Sequence, residues 1–130
     1  MVVDTSALVA VLFGEPEAER FARAIAASAS PVLSAVTLVE ASIVVEARQG
    51  SAGGRELDLL LHRGGVAVVA VDARQAERAR SAWRRYGRGR DRAGLNLGDC
   101  FSYALAVSRA EPLLFKGEDF TMTDVLRVAL

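Results

Sequence analysis

Four carboxylates in this chain occupy positions where an acid needs a reason to be. Asp4 follows the apolar Met1-Val2-Val3, Glu40 lies inside "SAVTLVEASIV", Asp99 leads "NLGDCFSYALAV", and Asp119 follows a glycine turn in "PLLFKGEDF". Each has an ordinary explanation when taken singly. Asp4 would cap the helix beginning near Ser6, although Thr5 and Ser6 would cap it as well. Glu40 shares its helical face with Val36, Thr37, Ile43 and Val44, with Ala47 a turn further on. Its carboxylate therefore points along an apolar face, where a buried charge is costly unless paired or bound to a metal. An ion pair with an arginine is the plain alternative, whereas Glu46 on another face is solvated. Asp99 falls in a first helical turn, favoured there by roughly 0.3–1 kcal/mol, but Asn96 is the better cap and leaves Asp99 free to point elsewhere. Asp119 has the reading of an exposed turn, and its neighbour Glu118 leaves the fourth acid ambiguous.

Brought together, such acids repel and require a cation. With one Cys and one His in the chain, no soft-ligand zinc set can be assembled. An all-oxygen set selects a hard ion, Mg²⁺ or Mn²⁺, which keeps waters and accepts phosphate oxygens. The chemistry that follows is metal-assisted hydrolysis of a phosphodiester.

The elements around these acids read as alternating strands and helices. Met1–Val3 is a short buried strand and Ser6–Phe13 an apolar segment, ended by Gly14-Glu15-Pro16. A helix runs from Pro16 to about Ala27, with acids in its first turn. Val32-Leu33 is a strand, and Ala35 to about Arg48 is a helix closed by Gly50. Gly53-Gly54 opens another helix, about Arg55 to Arg63, ended by Gly64-Gly65. Val66–Val71, "VAVVAV", has the look of a central strand. Asp72 caps an arginine-rich helix reaching Tyr86. Gly87–Gly94 is a flexible basic loop, the Asp99 helix reaches about Arg109, Pro112–Phe115 is a strand, and Val125–Leu130 is expected as an edge strand. This alternation predicts an α/β fold, a short, mostly parallel sheet with helices on both faces, in a single domain over residues 1–130. Sites in such sheets collect beyond the carboxyl ends of the strands, where Asp4 and the Lys116–Asp119 turn fall.

Composition narrows the class. The chain is 52% hydrophobic and 25% charged, which excludes disorder. No apolar run approaches the roughly 18 residues of a membrane span, and the N-terminus lacks a signal-peptide pattern. A lone Cys fits a reduced compartment, so a cytoplasmic location is expected. Net charge is zero, against binding of nucleic acid by bulk charge, yet eight arginines fall between Arg74 and Arg92 with only Glu77 and Asp91 among them.

At this point the residues resemble a known family, the PIN-domain ribonucleases, and within it the VapC toxins of type II toxin–antitoxin modules. The segments that carry the resemblance are "VVDTSALVAVL", "SAVTLVEASIV", "AGLNLGDCFSYALA" and "PLLFKGEDF", in order along the whole chain. The resemblance implies a PIN-like fold and an acidic quartet of Asp4, Glu40, Asp99 and Asp119 binding Mg²⁺ or Mn²⁺. It places Ser6 beside the metal's water with Thr5 assisting, and Asn96 at the rim. It also implies an RNA substrate, single-stranded or looped, homodimerisation, and a cognate VapB-type antitoxin that wraps the dimer into a heterotetramer or larger assembly and obstructs the pocket. With that expectation, Arg84, Arg85, Arg88, Arg90 and Arg92 hold RNA phosphates or antitoxin carboxylates, the alternative being a solvated face and loop.

The remaining candidates read plainly: Cys100 as a small core residue, His62 as a surface or helix-end residue, Trp83 and Tyr86 as packing rather than base-stacking aromatics. Two other functions compete, an RNA-processing nuclease outside any toxin system and a non-catalytic PIN-like interaction module. A phosphoaspartate enzyme using Asp4 is disfavoured, because haloacid-dehalogenase-like phosphatases carry a second Asp where this chain has Ser6.

Overall fold

Strict alternation along very short strands decides which helices lie on which side of the sheet. The computed structural model describes residues 1–130. Its strands are β1 (Val2–Val3), β2 (Val32–Ser34), β3 (Ala67–Val69) and β4 (Leu113–Leu114), all parallel, in the order β3-β2-β1-β4. The helices are α1 (Thr5–Leu12), α2 (Ala18–Ala27), α3 (Ala35–Gly64), α4 (Ala73–Tyr86) and α5 (Leu97–Arg109), with a 3-10 turn at Asp119–Met122. Val2, Val32 and Leu113 point to one face and pack with Ala79, Tyr86 and Leu105 of α4 and α5. Val3, Leu33 and Leu114 point to the other and pack with Leu8, Phe21, Ile25 and Leu57 of α1, α2 and α3. The period of two along the strands thus builds two cores, one per face. No helix is long and apolar enough to cross a membrane.

The expected α/β layout with a parallel sheet between two helical layers is what the structure has, and four local expectations need correction. Val66–Val71 is not a central strand: β3 lies at the sheet edge, paired only with β2, and Ala67 and Val68 are exposed. An apolar run alone does not separate a strand buried on both faces from an edge. Val125–Leu130 forms no strand; a single bridge joins Leu113 to Arg127 at the β4 edge. The second helical arm begins at Ser51 rather than near Arg55, because only Gly50 leaves helical geometry, at φ 65° and ψ −160°. Gly53 lies inside the helix, where a Cβ would stand 2.7 Å from the Val45 carbonyl oxygen, so it serves a close approach of the two arms.

Candidate active site

Asp4 sits at the carboxyl end of β1 and is the N-cap of α1. Its Oδ2 accepts hydrogen bonds from the Ser6 backbone N–H at 3.0 Å and the Ser6 hydroxyl at 2.7 Å. Its Oδ1 accepts from the Ser102 hydroxyl of α5 at 2.6 Å. The residue is only 2% exposed. Asp4 is therefore the cap of α1 and at the same time a buried acid at a strand end, two features that read as alternatives in the sequence. Ser6 Oγ also accepts the Lys116 backbone N–H at 2.9 Å, which ties the exit of β4 to the start of α1. Ser102 Oγ lies 3.2 Å from Thr37 Oγ1, and both residues are fully buried. Sequence reading assigns neither of these two a role. The signal available was a hydroxyl one turn after Asp99 inside an otherwise apolar stripe.

Glu40 is half-buried on α3, and its Oε1 accepts the Thr5 hydroxyl. Thr5 is buried, so it holds Glu40 rather than offering itself to RNA or to a partner. The face of α3 that enters the core carries Thr37, Ala41 and Val45. Of the residues expected to share Glu40's face, Thr37 is buried but Ile43 is 64% and Val44 38% exposed. Glu40 therefore lies in the floor of an open apolar groove whose opposite wall is Leu97 and Gly98. Gly98 is the second feature that sequence reading misses. A Cβ on it would stand 2.5 Å from Glu40 Cδ and nearer still to Oε2. Its backbone is ordinary helix with no left-handed φ, so the missing side chain serves space rather than chain geometry.

Asp99 does not hang free of the helix terminus. Asn96 Oδ1 accepts the Asp99 N–H at 2.8 Å, and Asp99 Oδ2 accepts the Asn96 N–H at 3.0 Å, so the two residues form a reciprocal capping box. Burial pushes the Asp99 carboxyl up to about 7, opposed by the Asn96 N–H, and the charges of Asp4, Asp119 and Glu40 raise it further. The charges of the other three acids therefore all bear on Asp99. Asp119 lies on the 3-10 turn and is exposed, as is Glu118. Of these two adjacent acids, it is Asp119 whose charge bears on Asp99.

The donor set fits a hard cation, being all carboxylate and hydroxyl oxygen, with the Asp99 carboxyl raised chiefly by burial. No three acids are gathered into a ready ion-binding group, however. Cys100 is a core residue as expected, its thiol pushed up to about 11 by burial first and the Asp99 charge second, which keeps it out of nucleophilic chemistry. His62 is exposed in the last turn of α3.

The arginine block divides. Arg85 is committed within the chain, pairing with Asp124 at 3.2 Å and lying 4.7 Å from the Tyr86 ring centroid. Arg90 stacks over Trp83 at 4.7 Å and donates to the Arg84 carbonyl at 3.3 Å. Arg84, Arg88 and Arg92 are exposed without an ion pair. Tyr86 packs edge-on against Tyr103 at 5.6 Å in the core, as expected. Trp83 does not pack away: it is 46% exposed.

Comparison with known proteins agrees with this arrangement. The PIN domain family pattern matches residues 1–126. VapC ribonuclease Mb0640 of Mycobacterium bovis is 59% identical over 130 residues, covering 100% of this chain and 99% of that protein. Ribonuclease VapC of Mycolicibacterium smegmatis is 60% identical over 128 residues, covering 98% and 99%. Among solved structures, Mycobacterium tuberculosis VapC20, a sarcin-ricin loop cleaving toxin, superposes with a TM-score of 0.78 at 20% identity, covering 98% of this chain and 97% of that one. A toxin–antitoxin complex from Klebsiella pneumoniae gives a TM-score of 0.72 at 18% identity, covering 98% and 95%. At those identities the two structures speak to fold alone. The family match and the full-length relatives together make this chain a PIN-domain protein of the VapC ribonuclease family.

Proposed function

We propose that the chain is a Mg²⁺- or Mn²⁺-dependent endoribonuclease that hydrolyses RNA phosphodiester bonds as the toxin of a type II toxin–antitoxin pair. The observation that carries this reading is the buried Asp4 at the end of β1, hydrogen-bonded through Ser102 to the same helix α5 that the buried Asp99 leads. Relatives that match the full chain at high identity are named ribonucleases, which supports the substrate class.

Asp4, Asp99, Glu40 and Asp119 would hold the ion. When bound, Mg²⁺ or Mn²⁺ supplies positive charge for the scissile phosphate and makes water acidic enough to attack at neutral pH. The chain's own residues fix the carboxylates. Ser6 and Ser102 orient Asp4 from opposite oxygens, Thr5 orients Glu40, and Asn96 holds Asp99 by its backbone N–H. Asp119, exposed on its short turn, stands at the rim where a strand of RNA would enter. Arg84, Arg88 and Arg92 are free to meet its phosphates.

A homodimer belongs to the same proposal. Val39 and Ile43 of α3 are 58% and 64% exposed, an apolar surface that a second copy would cover. The VapB-type antitoxin and a cytoplasmic location follow from the family reading. Toxin–antitoxin complexes among the structural neighbours are in keeping with such a partner.

The test is cleavage of a structured RNA with Mn²⁺ or Mg²⁺. Cleavage should stop with EDTA and with Asp4→Ala or Asp99→Ala in folded protein. Activity that survives both variants would overturn the site. A non-catalytic PIN-like module would show neither cleavage nor uptake of Mn²⁺ by calorimetry.

A further inference from the structure

Trp83 is the only tryptophan in the chain, and it is nearly half exposed on α4. It forms one wall of a cavity of about 510 Å³ whose other walls include Asn96, Leu97, Phe101, Arg80 and Arg88. Asn96 belongs also to the acid cluster, through its bond to Asp99. The cavity therefore shares Asn96 with the proposed reaction centre.

The chemistry of the walls selects the occupant. The lining is mostly apolar, with a flat indole among it, and two guanidinium groups stand at its edge. The Arg90 guanidinium already stacks on Trp83, so the indole sits in a cationic setting. Arg88 has no carboxylate partner. An apolar helix from a protein partner would desolvate that arginine without compensation. A nucleotide matches both features, offering a planar base to the indole and a phosphate to Arg88.

We propose that this cavity is a nucleobase subsite, in which a base flanking the cleaved bond stacks on Trp83 while Arg88 holds the adjoining phosphate, Arg80 being committed to Glu77 at 2.7 Å. It rests on the ribonuclease reading above, and gives the enzyme a way to grip an unpaired base. Stacking favours single-stranded segments over duplex, because a paired base cannot leave its stack without unpairing.

The single tryptophan makes the test direct. A short 2′-O-methyl oligoribonucleotide is added to the full chain in EDTA, so that nothing is cleaved. Binding is followed by anisotropy of an end label and stacking by tryptophan fluorescence. The proposal expects quenching that saturates with binding, and no quenching by an abasic oligonucleotide of equal length and charge. Trp83→Ala should weaken binding of the base-bearing strand on the order of tenfold and leave binding of the abasic strand unchanged, with Trp83→Phe intermediate. Binding without quenching would overturn it. So would a tryptophan emission that shifts with protein concentration and not with RNA, since a second copy would then cover the cavity. Quenching in a protein that never cuts RNA would keep the subsite and sink the nuclease reading, while cleavage without quenching would do the reverse.

Discussion

Asn96 and Asp99 hold each other across the first turn of α5, each side chain accepting the other's backbone N–H at 2.8 and 3.0 Å. The acid at the centre of the cluster is thus also part of the helix terminus. Asp99→Asn keeps an acceptor oxygen for the Asn96 N–H, so the fold should persist while RNA cleavage falls by at least about 10²-fold. Asn96→Ala should instead cost about 1 kcal/mol of stability and loosen Asp99, which urea unfolding and cleavage assays together would report.

The raised carboxyl of Asp99 makes metal-free stability depend on pH. Its folded value of about 7 lies above the ordinary carboxylate range, so between those limits the folded state binds more protons than the unfolded. Stability must then fall as pH rises through that window, and the penalty is fully present above about pH 7. In EDTA the melting temperature should drop between about pH 4 and about pH 7. Asp99→Asn should flatten that slope and melt higher at the alkaline end. Mn²⁺ affinity should increase over the same range, because protons and metal compete for one carboxylate. Parallel melting curves for the two proteins would contradict the assignment.

Gly98 leaves space that Glu40 occupies. Gly98→Ala should push the carboxylate out of place and lower cleavage on the order of 10²-fold, the usual consequence of an ångström's misplacement. In a Glu40→Asp background the shorter arm retreats from the new methyl group, so the same substitution should have little further effect. Removing the conflict with Glu40→Ala should turn Gly98→Ala into a stabilising change of about 0.5 kcal/mol, as expected for alanine in a helix.

Ser102 is fully buried and donates to Asp4, 98 positions away in the chain. Ser102→Ala leaves a buried carboxylate short of a donor and should cost about 1–3 kcal/mol in chemical denaturation. Thr37→Val should cost less, since Thr37 touches Ser102 and not the acid.

Legibility in the sequence followed the strength of local pattern. Asp4 and Asp99 stood out because an acid after an apolar strand, or leading an apolar helix, breaks its surroundings. Helix spacing identified an apolar face for Glu40 and failed to say whether that face is covered: Ile43 and Val44 look like core in sequence and are exposed in the fold. The same ambiguity misplaced Val66–Val71 at the sheet's centre, since hydrophobic runs report apolarity and not neighbours. Thr37 and Gly98 act through partners distant in the chain with nothing local to mark them, and Ser102 is marked only as a hydroxyl in an otherwise apolar stripe. Asp119 and Glu118 are adjacent and both exposed, and only the Asp119 charge bears on Asp99.

The strand order β3-β2-β1-β4 has a temporal consequence. The first strand to emerge during synthesis, β1, has one flank that stays vacant until residues 113–114 arrive. Asp4 receives its α5 hydroxyl from position 102, and Asp119 follows later still. A growing chain therefore carries its acids scattered, and the cluster comes into being only once the ribosome has released nearly everything described here. Whatever those acids do together must therefore wait until residues 102–119 have been made.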